Sequence, residues 1–532
     1  MTDRTGIART TPKGLQPGSI GLLGSIVVGL SSTAPAYSLA ASLGLVVASG
    51  GVLLAGVKAP SILLLAFVPV WMIAVAYREL NRVDPDCGTT FTWVTRAFGP
   101  VPGWLGGWGI IAADVIVMAN LAQVAGSYGF TFVGALADDA TVAALGHDRL
   151  WSTVAGVAWI AVMTVVCHLG VEVSTRLQVV LLSIEVLALV VFAGVAAVRV
   201  AGGTGTAASI TPTLAWFWPS GLDLGSVVAP AMLTAIFIYW GWDTAVSLNE
   251  ETRDPTRTPG RAAVVSTVLL LGIYVLVATA TIAFAGVGVD GTGLGAPANA
   301  EDVFAAIAPV LFGSSALGHA ATALLAFAIL TSAAASTQTT IMPTARTALA
   351  MAAQGALPSR FARVHERHRT PTWSTWAMGL ASAGCYVLLT VLSADLLSAL
   401  IESVGLMIAF TYALTGFACV WVFRRTLLDS ARHLVVRGIV PFLGGTALTL
   451  AFVHGLAQFA RPDWLQDADG RNVTVFGIGA VAVVGVGSIA VGVVLMVAQR
   501  FRSPAFFTGR TLVPRSDPDV AGTPEPERDV RR

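Results

Sequence analysis

Charge is what this chain has least of. Asp, Glu, Lys and Arg make up 11% of its 532 residues, against about 25% in soluble domains. Lysine is nearly missing: Lys13 and Lys58 stand alone, and arginine supplies the rest of the 31 basic residues. Net charge is +1, and no nucleic-acid partner is expected. Cysteine is scarce too. Cys87, Cys167, Cys385 and Cys419 lie far apart, mostly in apolar runs, so they read as small packing residues and not as a redox or metal pair. His168, His319 and His454 have no partners at ligand spacing; no metal and no cofactor is expected. Neither H-E-x-x-H nor G-x-S-x-G with triad partners occurs, which leaves an embedded enzyme without a constellation. The alternating segments of about ten residues that build a membrane β-barrel are also missing.

What fills the chain instead is apolar sequence: 55% hydrophobic residues and a mean hydropathy of +0.76. Uncharged stretches near the ~20 residues that cross a bilayer recur throughout. The sequence predicts an all-α membrane protein with twelve transmembrane helices, near 18–48, 59–81, 102–133, 151–169, 173–198, 224–249, 261–286, 316–351, 374–394, 397–423, 437–460 and 473–499. The first run is too long for a secretory h-region and reads as a membrane helix. The first, third and eighth exceed what a bilayer needs, so tilt, a break or an extension past the membrane is expected. Threading the twelve with the N-terminus inside leaves Lys58, Arg149, Arg199, Arg461 and Arg471 as the outer basic residues. By the positive-inside rule both termini are therefore cytoplasmic. Residues 1–17 form a cytoplasmic N-terminal segment, 18–425 a ten-helix core, 426–500 two further helices, and 501–532, rich in Pro and charge, a disordered tail.

Two spans carry a weak point. The first reads Gly29-Leu30-Ser31-Ser32-Thr33-Ala34-Pro35 at its centre, and proline both removes a donor and clashes with the preceding turn. The sixth, "FIYWGWDTAVSLNEETRDPTRTPGRA" from Phe237, breaks at Gly241 and buries Asp243 in apolar sequence. Non-helical backbone at membrane depth survives where protein buries it or it lines a cavity. Breaks in helices one and six of ten match a 5+5 inverted repeat, in which freed backbone groups hold a solute. A kink or a close helix contact would also use Gly29 and Gly241.

Asp114, Glu185, Asp243 and Glu402 lie inside spans, with no Lys or Arg equally deep to pair with them. Intramembrane carboxylates are costly and mark functional candidates. Low-dielectric surroundings favour the neutral acid, which suits proton uptake. Glu185 follows Gln178 by one heptad and shares its helix face. Ser332, Ser336 and Thr340 recur every fourth residue; such a stripe coordinates Na⁺, lines a solute path or bonds to the i−4 carbonyl. The aromatics Phe237, Tyr239, Trp240 and Trp242 crowd the second break, either to close over a solute or to pack. Glu250, Glu251, Arg253 and Arg257 at the inner end of span six form ion pairs that shut the inner side, or a solvated loop.

These stretches resemble a known family, the amino acid–polyamine–organocation (APC) permeases with the leucine-transporter-type (LeuT) fold. Phe237, Tyr239, Gly241 and Trp242, followed by Glu250, Glu251, Thr252, Pro255, Arg257, Pro259 and Arg261-Ala262, are similar to its "F-x-F-x-G-[FW]-E" and "E-E-T-x-x-P-x-R-x-x-P-R-A". "AYRELNRVDPDCGTTFTWVTRAFGPVPGWLGGW", "GVEVSTRLQVVLLSIEVLAL" and "ARTALAMAAQGALPSRFARVHERHRTPTWS" extend the likeness over residues 15 to 425. The resemblance implies a LeuT-type fold with discontinuous helices 1 and 6, two extra C-terminal helices, and secondary active transport of amino acids or related amines. It implies that backbone at Gly29, Ser31, Ser32, Thr33 and Ala34 holds a substrate carboxylate. Phe237, Tyr239, Trp240 and Gly241 would receive the amino end, with Phe237 as a gating aromatic. Asp243 stands where the family often has Glu. Glu185 falls where some proton-coupled members carry Lys, and a carboxylate there takes a proton or helps bind Na⁺. The expected partners are a small-molecule substrate, a coupling ion (H⁺ or Na⁺) and the lipid bilayer. Proton-coupled amino-acid import leads; a cationic amine or polyamine transporter or exchanger, with Na⁺ as its coupling ion, is the alternative.

Overall fold

The computed structural model describes residues 13–49, 52–137, 139–300, 302–392, 395–465 and 471–511. Asp138, Glu301 and the tail from 512 onward lie outside them. With almost no water to satisfy backbone polar groups inside a bilayer, helices are the open solution, and helices dominate. They are α1 Leu22–Thr33, α2 Pro35–Val47, α3 Ala59–Val83, α4 Thr90–Phe98, α5 Pro100–Ala137, α6 Arg149–Leu169, α7 Val171–Ala201, α8 Ala229–Tyr239 and α9 Thr244–Ser247. Further along are α10 Thr258–Ala285, α11 Val303–Phe312, α12 Ala316–Ala353, α13 Thr372–Leu392, α14 Asp395–Phe423, α15 Val440–Phe459, α16 Ala480–Arg502 and α17 Pro504–Phe507; Ala140–Ala144 and Ala431–His433 form short unnumbered helices.

Eleven segments among the described residues are long and apolar enough to cross a membrane, α1 and α2 together counting as one. The one expected span not among them, the sixth, is split. Its first part, Leu224–Tyr239, is a shorter apolar helix, and the chain then unwinds from Trp240 to Asp243 before α9. Helix surfaces turned outward carry bare aliphatic groups: Val198, Leu380, Leu450 and Val494 are 72%, 77%, 65% and 68% exposed. That is the surface hydrocarbon tails would cover. α1, α2, α8 and α9 lie inside, with α2 buried at every position. α3, α7, α10, α12 and α14 pack around them, and α5 and α12 run along each other for much of their length.

The break in the first span is narrower than its sequence suggests. Gly29 to Thr33 remain helical, and the discontinuity falls on Ala34, whose φ of 46° and ψ of 66° are left-handed. Pro35 follows at the first position of α2, where its missing N–H costs nothing. α5 and α12 are continuous over 38 residues each, and α12 carries Pro343 within it. The C-terminal region expected to be disordered is ordered at its start. Phe506 is fully buried and stacks on Phe91 at 5.9 Å, and the Ser503 hydroxyl donates to the Gly355 carbonyl at 2.7 Å. An apolar cluster with Leu15, Trp104 and Met351 supplies the burial that charge and proline content concealed.

Candidate functional site

The two broken spans meet through backbone. Gly241 has φ 118°, and a side chain there would come within 2.6 Å of the Ser32 carbonyl carbon and 2.8 Å of the Thr33 nitrogen. Only glycine permits both the conformation and the approach. Ser32 and Thr244 share a hydrogen bond of 2.8 Å between their hydroxyls, and the Ser336 hydroxyl donates to the Ser32 carbonyl at 3.0 Å. α1, α9 and α12 are thus stitched at one level.

A small cavity sits at this junction. Ser32, Thr33, Phe237, Trp240, Gly241, Asp243, Asp114 and Ser336 line it, as do Tyr37, Ser38, Thr244 and Thr340. Its free space is about 20 Å³, room for a water but far below the few hundred Å³ a small-molecule site offers. Admitting a solute from either side requires these helices to move.

Other expected residues lie elsewhere. Gly29 packs against α10, with Ser266 Oγ 2.8 Å from where its Cβ would be, so its smallness serves a helix contact. Ser31 and Ala34 are buried outside the cavity lining. Tyr239 turns away to Tyr274 and Phe67, at ring separations of 5.2 and 6.0 Å. Trp242 joins Tyr77 and Tyr412, at 5.1 and 5.3 Å, in an aromatic cluster. The aromatics around Gly241 therefore divide between lining the cavity and packing.

Glu185 and Ser332 are next to each other but behind the first break. The Ala36 N–H donates to Glu185 Oε1 at 2.7 Å, the Ser332 hydroxyl donates to the same oxygen at 2.7 Å, and the Tyr37 N–H donates to Ser332 Oγ at 3.2 Å. Ala34 and Ser38 N–H groups are taken by the carbonyls of Ser31 and Ala34, and Pro35 has none. Every backbone donor of residues 34–38 is therefore engaged, and the acidic group at the start of α2 is the protein's own Glu185 carboxyl, at the helix end where the dipole favours negative charge. Gln178 and Glu185 do share a face: Gln178 Nε2 donates to the Ala335 carbonyl and to Gln338 on α12, and Glu185 reaches Ser332 on the same helix.

The remaining intramembrane carboxylates have neutral partners. The Thr344 hydroxyl donates to Asp114, the Tyr412 hydroxyl to Asp243 at 3.0 Å, and the Trp464 indole to Glu402 at 2.8 Å. Asp114 and Asp243 both border the central cavity; Glu402 does not.

Beyond the second break, around Glu250 and Glu251, the ion pairs differ from the sequence expectation. Glu251 is paired bidentately by Arg346 of α12, at 2.7 and 2.9 Å, both side chains almost fully buried. Glu250 pairs with Lys13, which also contacts Asp86 at 2.8 Å. Arg253 and Arg257 are exposed. The pairing skips the local loop because the N-terminal segment is strapped there: Ile20 N–H donates to the Glu251 carbonyl and Arg253 N–H to that of Ile20. Asp86, Cys87 and Glu250 bring ligand atoms together as a metal site would, but the Lys13 ammonium occupies that charge-balancing place. Burial would lower the Lys13 pKa; Cys87 and the Asp86 and Glu250 carboxylates override it and raise it well above the usual lysine range. Burial would raise Asp86, and Lys13 holds it below the usual carboxylate range.

Sequence reasoning missed Arg346, Tyr412, Thr344 and Lys13. The signal for Arg346 was available: a lone arginine within an apolar helix needs an acid at equal depth. The others are set by which helices touch.

Comparison with known proteins agrees with this architecture. The sequence model of the amino acid permease family matches residues 27–497. An uncharacterized transporter of Mycobacterium tuberculosis is 27% identical over 495 residues, 91% of this chain and 92% of that protein. The branched-chain amino acid permease BcaP of Bacillus subtilis is 25% identical over 390 residues, 70% of this chain and 75% of its own. The mitochondrial cationic amino acid transporter 3 of Arabidopsis thaliana is 27% identical over 355 residues, 65% and 54% of the two chains. With matching sequence along most of its length, broken helices meeting at a central cavity and a surface of bare aliphatic groups, this chain belongs to the amino acid permease family of multi-pass membrane transporters.

Proposed function

We propose that this transporter imports amino acids or related amines that carry an additional positive charge, by alternating access across the cell membrane. One observation carries the reading. Asp114 and Asp243 border the same central cavity, and their partners there are hydroxyls, not cations. A substrate ammonium would supply the missing charge. The first break weighs the same way: its backbone donors are already engaged, by Glu185 and by neighbouring groups, so a substrate carboxylate has to displace an existing partner. The likeness to a cationic amino acid transporter is in keeping with this.

Residues 18–425 form the transport core in this reading, and 426–500 are accessory helices. The Glu251–Arg346 and Lys13–Asp86 pairs close the cytoplasmic side. Glu185 couples transport to a proton: loading and releasing it would alter the bond to Ala36 that holds the start of α2. Purified protein in liposomes, offered labelled arginine, lysine, putrescine and leucine under an inside-alkaline gradient without Na⁺, tests both parts. Uptake of the cationic solutes is expected, with KM raised about tenfold or more in Asp243→Asn. Leucine uptake that arginine does not compete with would sink the cationic reading, and a strict need for Na⁺ would sink proton coupling.

A further inference from the structure

A second cavity, of about 300 Å³, lies outside the central site, among α5, α12, α13 and α16. It has the size of a small-ligand site. Its walls are apolar: Trp108, Met351, Phe361, Met378 and Leu495 are among them. Ala381 and Leu495 are exposed on its outer side, so it opens where the bilayer would be. At its cytoplasmic end stands Arg502, the last residue of α16, exposed and without an ion pair among the described residues. Arg360, also exposed, stacks over Phe361 on the same rim, 5.4 Å from the ring centre.

The depth has a meaning. The innermost wall residue on α12 is Thr344, nine residues from the helix end at Ala353. At 1.5 Å per residue the slot runs about 14 Å along α12, a length comparable with one leaflet of a hydrocarbon core about 30 Å thick. An apolar slot about one leaflet long, with two exposed guanidinium groups at its mouth that form no ion pair among the described residues, matches a chain of hydrocarbon ending in an anionic head. Guanidinium is the side chain best suited to a phosphate, which it meets bidentately. Arginines at the membrane surface are drawn to acidic lipid.

We propose that this cavity is a binding site for an anionic glycerophospholipid of the cytoplasmic leaflet, one acyl chain in the slot and the phosphate at Arg502 and Arg360. The chain tip would rest against Thr344, whose hydroxyl holds Asp114 on the other side of the same wall.

Native mass spectrometry of the purified full-length protein, equilibrated with phosphatidylglycerol or phosphatidylcholine of identical chains, tests this without any transported solute. The wild type is expected to retain phosphatidylglycerol in preference to phosphatidylcholine. Neutralising Arg502→Gln and Arg360→Gln should lower that retention about fivefold per arginine. Ala381→Trp, which fills the slot from α13, should abolish the adduct; Leu495→Trp does the same from α16 if the first variant folds poorly. Equal retention of the two lipids, or unchanged phosphatidylglycerol occupancy in the filled variants, overturns the proposal. So does an adduct that forms only after residues 512–532 are removed, because the chain's own tail would then be the occupant.

Discussion

Arg346→Met is the sharpest test of the proposal that the Glu251–Arg346 pair closes one mouth of the transporter. Arg346 and Glu251 are 2% and 1% exposed, and the guanidinium meets both carboxylate oxygens. Removing one member of such a pair leaves a buried charge uncompensated, at a cost of about 3–5 kcal/mol. Glu251 escapes that cost if the mouth opens and water reaches it. The penalty therefore falls on the closed state, and 3 kcal/mol is more than a hundredfold in population at about 1.4 kcal/mol per factor of ten. Cys87 reports the change. It is fully buried, its backbone N–H donates to Glu250, and burial, with the Glu250 carboxylate beside it, holds its thiol well above the usual cysteine range. In a variant whose other three cysteines are alanine, maleimide labelling of Cys87 should accelerate by about two orders of magnitude on Arg346→Met. Replacing Glu251 by Leu as well should recover most of the melting temperature, since a buried pair exchanged for apolar groups is often neutral. Arg257→Ala, on the exposed loop, should change stability by no more than about 0.5 kcal/mol. Labelling within twofold of the parent together with an unchanged melting temperature in Arg346→Met would refute the reasoning.

Glu185→Gln keeps an oxygen that accepts from Ala36 and Ser332, so the fold should lose no more than about 1–2 kcal/mol, while pH-driven accumulation disappears and solute exchange persists; normal accumulation would reduce Glu185 to a helix cap. Gly241→Ala must hold a side chain at φ 118° against the Ser32 backbone, where strain alone costs about 1–3 kcal/mol, so both melting temperature and uptake should fall, and near-parental values for both would contradict the contact. The Lys13–Asp86 tie should be indifferent to pH in the physiological range. Its lysine pKa is raised, so that contribution is lost only as pH climbs above the usual lysine range; its aspartate pKa is lowered, so that contribution is lost only as pH falls below the usual carboxylate range. Hydrogen-exchange protection of residues 13–20, corrected for intrinsic rates, should stay level from about pH 5.5 to 8.5, and a loss of protection inside that window would count against the tie.

Much of this protein was legible in one dimension. Apolar runs separated by arginine-bearing loops determine a membrane-spanning helical chain, because a bilayer leaves backbone groups few other partners. Pro35 and Gly241 marked the two breaks, since local stereochemistry acts within a turn or two. The four buried carboxylates were visible as charges in apolar sequence, and the heptad from Gln178 to Glu185 put both on the face that meets α12. Tertiary structure alone decided what those groups do. Glu185 finds Ala36 across 149 residues, Asp243 finds Tyr412 across 169, and Asp114 finds Thr344 across 230. A helix that is apolar all round has no polar stripe to fix its rotation, so its sequence does not say which neighbour it faces or at what height. The same ambiguity hid the split among the aromatics, with Phe237 and Trp240 turned to the cavity and Tyr239 and Trp242 turned to packing. It also hid Lys13 and Arg346, whose partners are fixed by how the N-terminal segment and α12 dock on the inner end of the broken span, a choice made by packing and not by spacing.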